Sequence, residues 1–256
     1  MKKQLFIFFS CIALLLSCEE EINQSVCEIQ KSKDVYEYPI KPGSNEWKQL
    51  NSSKEKISVC QIPEDILIDM STDGLIESVL NNPLFGEIYL GVYPQHGFNL
   101  FYNNFNGVQA LLQRKDVAAK LLDRYNQMSP SCSKNNWPSL NGAGSNNNYA
   151  FSFIEILIAQ HLVLKQVVDN QETTIFLQRV INKYEDKIIN NYSIVGLEYS
   201  MLICGRIMYL SNHASFIEEY NNNEDINWFV DSAFAVDMNT LNIIYDYVNK
   251  FLEKNK

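Results

Sequence analysis

The sequence has little of several features that specific functions require. It carries 21 Lys and Arg residues against 30 Asp and Glu residues, a net charge of −9, so it lacks the basic surface that binds nucleic acid. Its three histidines, His96, His161 and His213, are far apart, and no C-x-x-C pair occurs. These absences exclude the common zinc-site spacings. We therefore predict no metal, no cofactor and no nucleic-acid partner.

Signals for two other structural and catalytic classes are also missing. No segment alternates cleanly enough between apolar and polar residues to predict a strand. The Gly-rich stretch at residues 142–145 is neither a G-x-S-x-G nucleophile elbow nor a phosphate-binding loop, because it lacks the required serine spacing and the lysine. Hydrophobic residues make up 46% of the chain and aromatic residues 12%, which is ample for a buried core. The chain is therefore a globular protein of one domain or two small ones.

The first residues have the order of a secretory signal. Lys2 and Lys3 form a positive start, and residues 5–16 are an almost unbroken apolar run. That run is shorter than the roughly 20 residues that a membrane-spanning helix needs. We predict that it is a signal peptide and is removed.

The end of that run resembles the lipobox of bacterial lipoproteins. In Leu15-Leu16-Ser17-Cys18, an apolar residue lies third before the cysteine and a small residue lies directly before it. The resemblance implies cleavage before Cys18 and attachment of lipid, such as palmitate, to that cysteine. More than one acyl chain would anchor the protein stably without a span. Removing Lys2 and Lys3 leaves 19 basic and 30 acidic residues, a net charge of −11.

An acidic cluster, Glu19-Glu20-Glu21, follows the cysteine directly. It resembles the signal that sends lipoproteins of Bacteroidetes-type bacteria to the outer face of the outer membrane. The resemblance implies a lipid-anchored protein at the cell surface, with the periplasmic face as the alternative location. The other interpretation is a solvated charge run at the head of a linker.

Four cysteines would remain after cleavage and lipidation: Cys27, Cys60, Cys132 and Cys204. In an exported chain they permit one or two disulfides, in three full pairings. Cys204 lies in an apolar segment and is interpreted as a small buried hydrophobic residue.

Most of the chain follows helical periodicity. Local signals mark several helix starts, including Ser44, Ser52 with Glu55 in capping-box spacing, and either Ser71 or Thr72. Residues 149–168 and 194–210 are apolar on most faces, which is typical of helices at the centre of a bundle. We predict an all-α fold, either a multi-helix bundle or a short irregular α-solenoid.

The predicted organisation has three parts. Residues 1–17 form the signal peptide, residues 18–36 a lipidated tether, and residues 37–256 the helical domain, with a sub-boundary in the loop at 128–148. Residues 38–116, which include Ile62-Pro63 and Phe105-Asn106-Gly107, resemble uncharacterised exported helical lipoproteins of Bacteroidetes-type bacteria. That resemblance implies neither an activity nor a catalytic residue.

Aromatic residues are the remaining functional signal. A cluster occurs in a segment rich in Gly, Asn and Pro, and Trp137 lies in the long loop. If exposed, these rings could stack on sugars or receive a peptide; if buried, they are core residues. The predicted ligand-binding residues are Tyr89, Tyr93, Phe98, Tyr102 and Trp137.

These observations favour a lipid-anchored cell-envelope binding or scaffolding protein with a glycan or protein partner. The alternative is an envelope hydrolase or glycan-processing enzyme that uses carboxylates brought together by folding. The sequence leaves open whether the protein is an enzyme.

Overall fold

The computed structural model describes residues 32–132, 148–169, 172–235 and 237–255. Within these ranges all regular structure is helical, with fourteen α-helices, two short 3-10 helices and no strand. The predicted all-α class is confirmed.

The first half consists of short helices joined by short turns. They are α1 (Asn45–Lys48), α2 (Ser53–Val59), α3 (Glu64–Asp69), α4 (Thr72–Leu80), a 3-10 helix (Phe85–Leu90), α5 (Pro94–Asn104), α6 (Asn106–Leu112), α7 (Val117–Asn126) and a 3-10 turn (Pro130–Cys132).

The second half contains the longer helices. They are α8 (Asn148–Ile158), α9 (His161–Asp169), α10 (Thr173–Ile189), α11 (Ile194–Leu210), α12 (Ala214–Asn222), α13 (Glu224–Ser232) and α14 (Met238–Lys254).

Side-chain caps set several of the predicted helix starts. Ser52 accepts a hydrogen bond from the backbone N–H of Glu55, and the Glu55 carboxylate accepts one from the backbone N–H of Ser52. Ser44 and Ser71 each accept a bond from a backbone N–H three residues later. These caps satisfy N–H groups that have no partner within the helix, so the boundaries follow from local chemistry.

Helix α11 is the centre of the molecule. It contacts α8, α9, α10, α12, α13 and α14, and it is buried from Gly196 to Gly205. In a solenoid each repeat contacts only its sequence neighbours, whereas six helices surround α11 here. The arrangement therefore matches the predicted bundle better than the predicted solenoid.

The long helix predicted for residues 149–168 is two helices. The chain turns between α8 and α9, whose axes differ by 64°. Neither proline nor glycine lies at the break. The Gln160 side chain donates a hydrogen bond to the Ile156 carbonyl at the end of α8, and the backbone carbonyl of Gln160 accepts one from Val163 at the start of α9. Tertiary packing, and not a local helix breaker, sets this boundary.

Two of the four cysteines considered for disulfides are buried free thiols. They are Cys60 and Cys204, so neither belongs to a disulfide. Burial raises the pKa of the Cys60 thiol to about 12 and also raises the pKa of Cys204. Both are therefore protonated and unreactive at neutral pH. Of the predicted pairings, only Cys27 with Cys132 remains, and Cys27 lies outside the described residues.

The described helices include no single one that is long and apolar enough to cross a membrane. Two bent pairs, α8 with α9 and α11 with α12, meet the length and composition criteria together. All side chains from Phe151 to Gln160 are buried within the protein.

The described part of the predicted tether lies against the domain. Asp34 accepts hydrogen bonds from the backbone N–H and the hydroxyl of Ser71, at 2.6 and 3.0 Å, where α4 begins. The backbone N–H of Tyr36 donates to the Ser78 hydroxyl at 2.8 Å. The chain is thus attached to α4 before the predicted start of the domain at residue 37.

Candidate functional site

The structure separates the predicted ligand-binding aromatics into different environments. Phe98 is only 2% exposed and lies in the core, where it cannot reach a ligand at the surface. Tyr89 is half-buried and packs its ring on Phe153 and Tyr199, and Tyr102 is half-buried against the core. Trp137 and Cys18 lie outside the described residues. Among the predicted residues that are described, Tyr93 is the one whose ring lies beside another surface aromatic residue.

Tyr93 forms a surface pair with a residue that the sequence did not indicate. Its ring centroid lies 5.4 Å from that of Trp228, and the two planes meet at 72°. This edge-to-face geometry is favourable for aromatic pairs. Trp228 is 44% exposed, so the pair presents aromatic surface to solvent at the meeting of α5 and α13.

Two glycines shape the loop that carries Tyr93. A Cβ atom on Gly97 would lie 1.8 Å from the carbonyl oxygen of Ile88, and one on Gly91 would lie 2.6 Å from the backbone nitrogen of Gly97. Only glycine allows the 3-10 helix and α5 to approach this closely. The backbone N–H of Val92 also donates to Nδ1 of His96 at 3.4 Å. The turn between the two helices is therefore tight.

Arg206 of α11 holds the two sides of this site together. Its guanidinium donates to the backbone carbonyls of Val230 and Asp231 at 2.8 and 3.2 Å, near the C-terminus of α13. It also donates to the Gln95 side chain on α5 at 2.8 Å and to the Ala159 carbonyl at 2.9 Å. A cation at a helix C-terminus is favourable because the carbonyls there carry partial negative charge. Removal from water lowers the pKa of Arg206 to about 10, which keeps it charged at neutral pH.

Two strongly exposed aliphatic residues lie just before Tyr93 in the chain. Leu90 and Val92 are 81% and 85% exposed, on either side of Gly91. We call Leu90, Val92, Tyr93 and Trp228 the aromatic–aliphatic face. Residues 88–113, which contribute three of its four members, contain no Asp, Glu, Lys or Arg. The helix that carries Trp228 differs, since Glu224, Asp225 and Asp231 on it are exposed and lie within about one turn of Trp228.

A second notable cluster is completely buried. The Lys187 ammonium lies 2.6 Å from each carboxylate oxygen of Glu155, and it also donates to the Gly196 carbonyl at 2.9 Å and the Ser200 hydroxyl at 3.0 Å. The hydroxyls of Tyr125 and Ser200 donate to Glu155 Oε1, each at 2.7 Å. The network links α7, α8, α10 and α11. Burial lowers the pKa of Lys187, and attraction to Glu155 opposes that shift.

This cluster has catalytic residue types but lacks the access that catalysis requires. A serine next to a lysine can act as an activated nucleophile. Here Lys187, Ser200 and Glu155 each have no exposed surface, and the lysine donors are all used by protein acceptors. We therefore interpret the network as structural, because a buried ion pair is tolerated only when its hydrogen bonds are satisfied.

The other buried carboxylates also have protein partners. Glu77 pairs with Arg124. Glu198 accepts a hydrogen bond from the backbone N–H of Ala235 at 3.3 Å, and burial raises its pKa to about 8. The predicted alternative, carboxylate hydrolysis, needs two carboxyl groups about 5 to 10 Å apart across a cleft. Glu155, Glu77 and Glu198 are instead each bonded to protein groups within the fold. The hydrolase alternative stays a prediction.

Among the residues that the structure describes, no group of three or more His, Cys, Asp or Glu side chains could hold a metal ion. Comparison with known proteins adds no family: no family model, no curated protein and no solved structure matches the chain.

Proposed function

We propose that the protein is a lipid-anchored cell-envelope binding or scaffolding protein, held at the outer membrane through Cys18. The observation that carries the binding role is the aromatic–aliphatic face, where Leu90, Val92 and Trp228 are exposed. The stretch from 88 to 113, which contains Leu90 and Val92, has no charged residue. Contiguous exposed apolar surface on a folded domain marks a contact site more often than chance. The lipobox resemblance at Leu15-Leu16-Ser17-Cys18 supports the anchored location.

The anchoring part is tested by lipid labelling. The full-length chain, expressed with its own signal in a bacterium that makes lipoproteins, should incorporate labelled palmitate and sediment with membranes. Cys18→Ala should lose both the label and the sedimentation. Label retained in Cys18→Ala, or a wild-type chain without label, would contradict the assignment.

The binding part is tested by capture from the cell envelope. Intact lipidated protein should retain a glycan or protein partner in a pull-down and on a glycan array, and Trp228→Ala should reduce that retention. Ile189→Ala is a matched control, because Ile189 is a strongly exposed hydrophobic residue on α10, outside the face. Equal retention by wild type and Trp228→Ala would exclude this face as the contact site.

A further inference from the structure

We propose that Asp231 and a second aromatic pair extend the exposed aromatic surface at Trp228 into a binding site for a neutral glycan, whose sugar rings stack on the aromatic rings while a sugar hydroxyl donates to Asp231. The inference deepens the proposed function and rests on it, because it assigns the contact at Trp228 to one class of ligand.

The second aromatic pair is Tyr209 with Tyr220. Their ring centroids lie 4.7 Å apart, and the ring planes meet at 48°. Tyr209, on α11, is 41% exposed, and Tyr220, on α12, is half-buried. This pair therefore presents aromatic surface to solvent, as the pair of Tyr93 and Trp228 does.

Asp231 connects the two pairs. The Tyr220 hydroxyl donates to Asp231 Oδ1 at 3.0 Å. Trp228 lies three residues before Asp231 on α13, and side chains at that spacing are neighbours on a helix surface. We call the connected series Tyr93, Trp228, Asp231, Tyr220 and Tyr209 the Asp231 arc.

The residue types of the Asp231 arc match the two kinds of surface on a sugar. A sugar ring has apolar C–H faces, which pack on aromatic rings, and a rim of hydroxyl groups, which need hydrogen-bond partners. Asp231 is exposed, and an ionised carboxylate offers about four lone-pair sites on its two oxygens. The bond from Tyr220 therefore holds the carboxylate beside the rings and leaves it able to accept from a sugar hydroxyl.

The charges around the arc favour a neutral glycan over an acidic one. Glu224 and Asp225 are exposed in the first turn of α13, so an anionic sugar at Trp228 would meet several like charges. The guanidinium of Arg206, which lies beside the Asp231 backbone, donates to four protein acceptors and is engaged by the fold.

The arrangement of the rings favours a glycan over a basic peptide. A lysine or arginine side chain is held best where an aromatic face points at a single cation. In the Asp231 arc each ring instead packs on its own partner, and the two pairs lie on either side of the carboxylate. Such a row of open aromatic surfaces suits consecutive sugar rings of one chain.

Single-tryptophan fluorescence tests this assignment. In the full-length protein, Trp47→Phe with Trp137→Phe leaves Trp228 as the only tryptophan. We would titrate this variant with neutral hexasaccharides of glucose, mannose and galactose, with a sialylated oligosaccharide and with hexalysine, at low and high salt. At least one neutral hexasaccharide should shift the Trp228 emission, with an affinity that salt leaves unchanged. The sialylated oligosaccharide should bind more weakly than that hexasaccharide.

Matched variants locate the site. Tyr209→Ala should weaken binding of the same hexasaccharide about two- to tenfold, through loss of one stacking contact. Asp231→Asn should weaken it about fivefold, since a charged acceptor forms the stronger hydrogen bond. Glu185→Gln should leave the affinity unchanged, because Glu185 forms a similar exposed pair with Tyr245, at 2.7 Å, outside the arc. Circular dichroism confirms that each variant keeps its helical content.

The outcomes separate this inference from the proposed function. Salt-sensitive binding of hexalysine without binding of a neutral hexasaccharide would overturn the inference. So would a hexasaccharide affinity that Trp228→Ala lowers but neither Tyr209→Ala nor Asp231→Asn changes, and the binding role of the aromatic–aliphatic face would then stand. A protein captured from the envelope through Trp228, with no hexasaccharide response, would likewise overturn only the inference. Absence of both a hexasaccharide response and a captured partner would overturn the binding role as well.

Discussion

The ammonium of Lys187 lies 2.6 Å from both carboxylate oxygens of Glu155, and neither side chain has any exposed surface. The pair joins α8 to α10 and, through Gly196 and Ser200, to the central helix α11. Burial removes both charges from water, which costs free energy. The pair can therefore stabilise the fold only because its hydrogen bonds are all satisfied.

Removing one member of this pair should strongly destabilise the protein. Lys187→Met leaves the Glu155 carboxylate buried without its cation, and the expected loss is about 3 to 5 kcal/mol of unfolding free energy. Urea denaturation followed by circular dichroism measures it. The exposed pair Lys120–Asp73 is the control, and Lys120→Met should cost less than about 1 kcal/mol. A double variant, Lys187→Met with Glu155→Leu, should cost less than the sum of the single changes. Equal losses for Lys187→Met and Lys120→Met would contradict the structural role of the buried pair.

Glu198 should make stability fall as pH rises. Its pKa of about 8 in the fold lies above the ordinary value of a glutamate, so the folded state holds a proton that the unfolded state has released. Between pH of about 4.5 and 8 this group therefore reduces stability, by up to about 1.4 kcal/mol per pH unit. Glu198→Gln keeps a neutral side chain, and its unfolding free energy should decline less over that window than that of the wild type. Glu253→Gln, at an exposed position, should follow the wild-type curve. Parallel wild-type and Glu198→Gln curves would show that Glu198 titrates normally.

Arg206→Met should loosen the contact between α5 and α13. The change removes the donors that serve the Ala159, Val230 and Asp231 carbonyls, and the expected cost is about 1 to 3 kcal/mol. With Trp47→Phe and Trp137→Phe in the background, Trp228 is the single remaining tryptophan. Its fluorescence should report the loss of the Tyr93 contact while the variant is still fully folded. Arg179→Met, on the exposed side of α10, should change stability by no more than about 0.5 kcal/mol. An unchanged Trp228 signal in folded Arg206→Met would show that other contacts hold the pair.

Gly97→Ala should displace the turn that carries Leu90 and Val92. The added methyl group would lie 1.8 Å from the Ile88 carbonyl oxygen, so the backbone must move. We expect a loss of about 1 to 3 kcal/mol, the typical cost of overpacking. Gly86→Ala is the control, because nothing lies within 4 Å of its added methyl group. Thermal unfolding of the two variants should separate them clearly, and equal midpoints would mean that the turn can adapt.

Local chemistry made part of the fold predictable. The caps at Ser44, Ser52 and Ser71 depend on residues within one helical turn. The sequence indicated the first two directly, and it indicated Ser71 as one of two candidates with Thr72. The limits of α11 were also predicted, because its flanks and apolar character are local features. The break between α8 and α9 was missed, since Gln160 carries no helix-breaking signal and its role depends on packing.

The candidate site was less accessible to sequence reasoning. Tyr93 was predicted, but Trp228 lies on another helix, and no local pattern connects residues so far apart in the chain. Phe98 lies in the same aromatic-rich segment as Tyr93, but its side chain faces the core from α5. A signal did exist for the buried pair: Glu155 is the single acidic residue in an apolar run, and Lys187 continues the apolar stripe of α10 through Val180 and Tyr184. A charged residue on the buried face of a helix indicates that a residue of opposite charge lies nearby in the core.

The attachment of Asp34 to Ser71 has a mechanical consequence. Under the proposed anchoring, any pull on the domain away from the membrane would be transmitted through the chain to Asp34 and then to the start of α4, where two hydrogen bonds resist it. The Tyr36 bond to Ser78, about two helical turns further along α4, would take the load next. The force would therefore enter the domain at the two ends of α4.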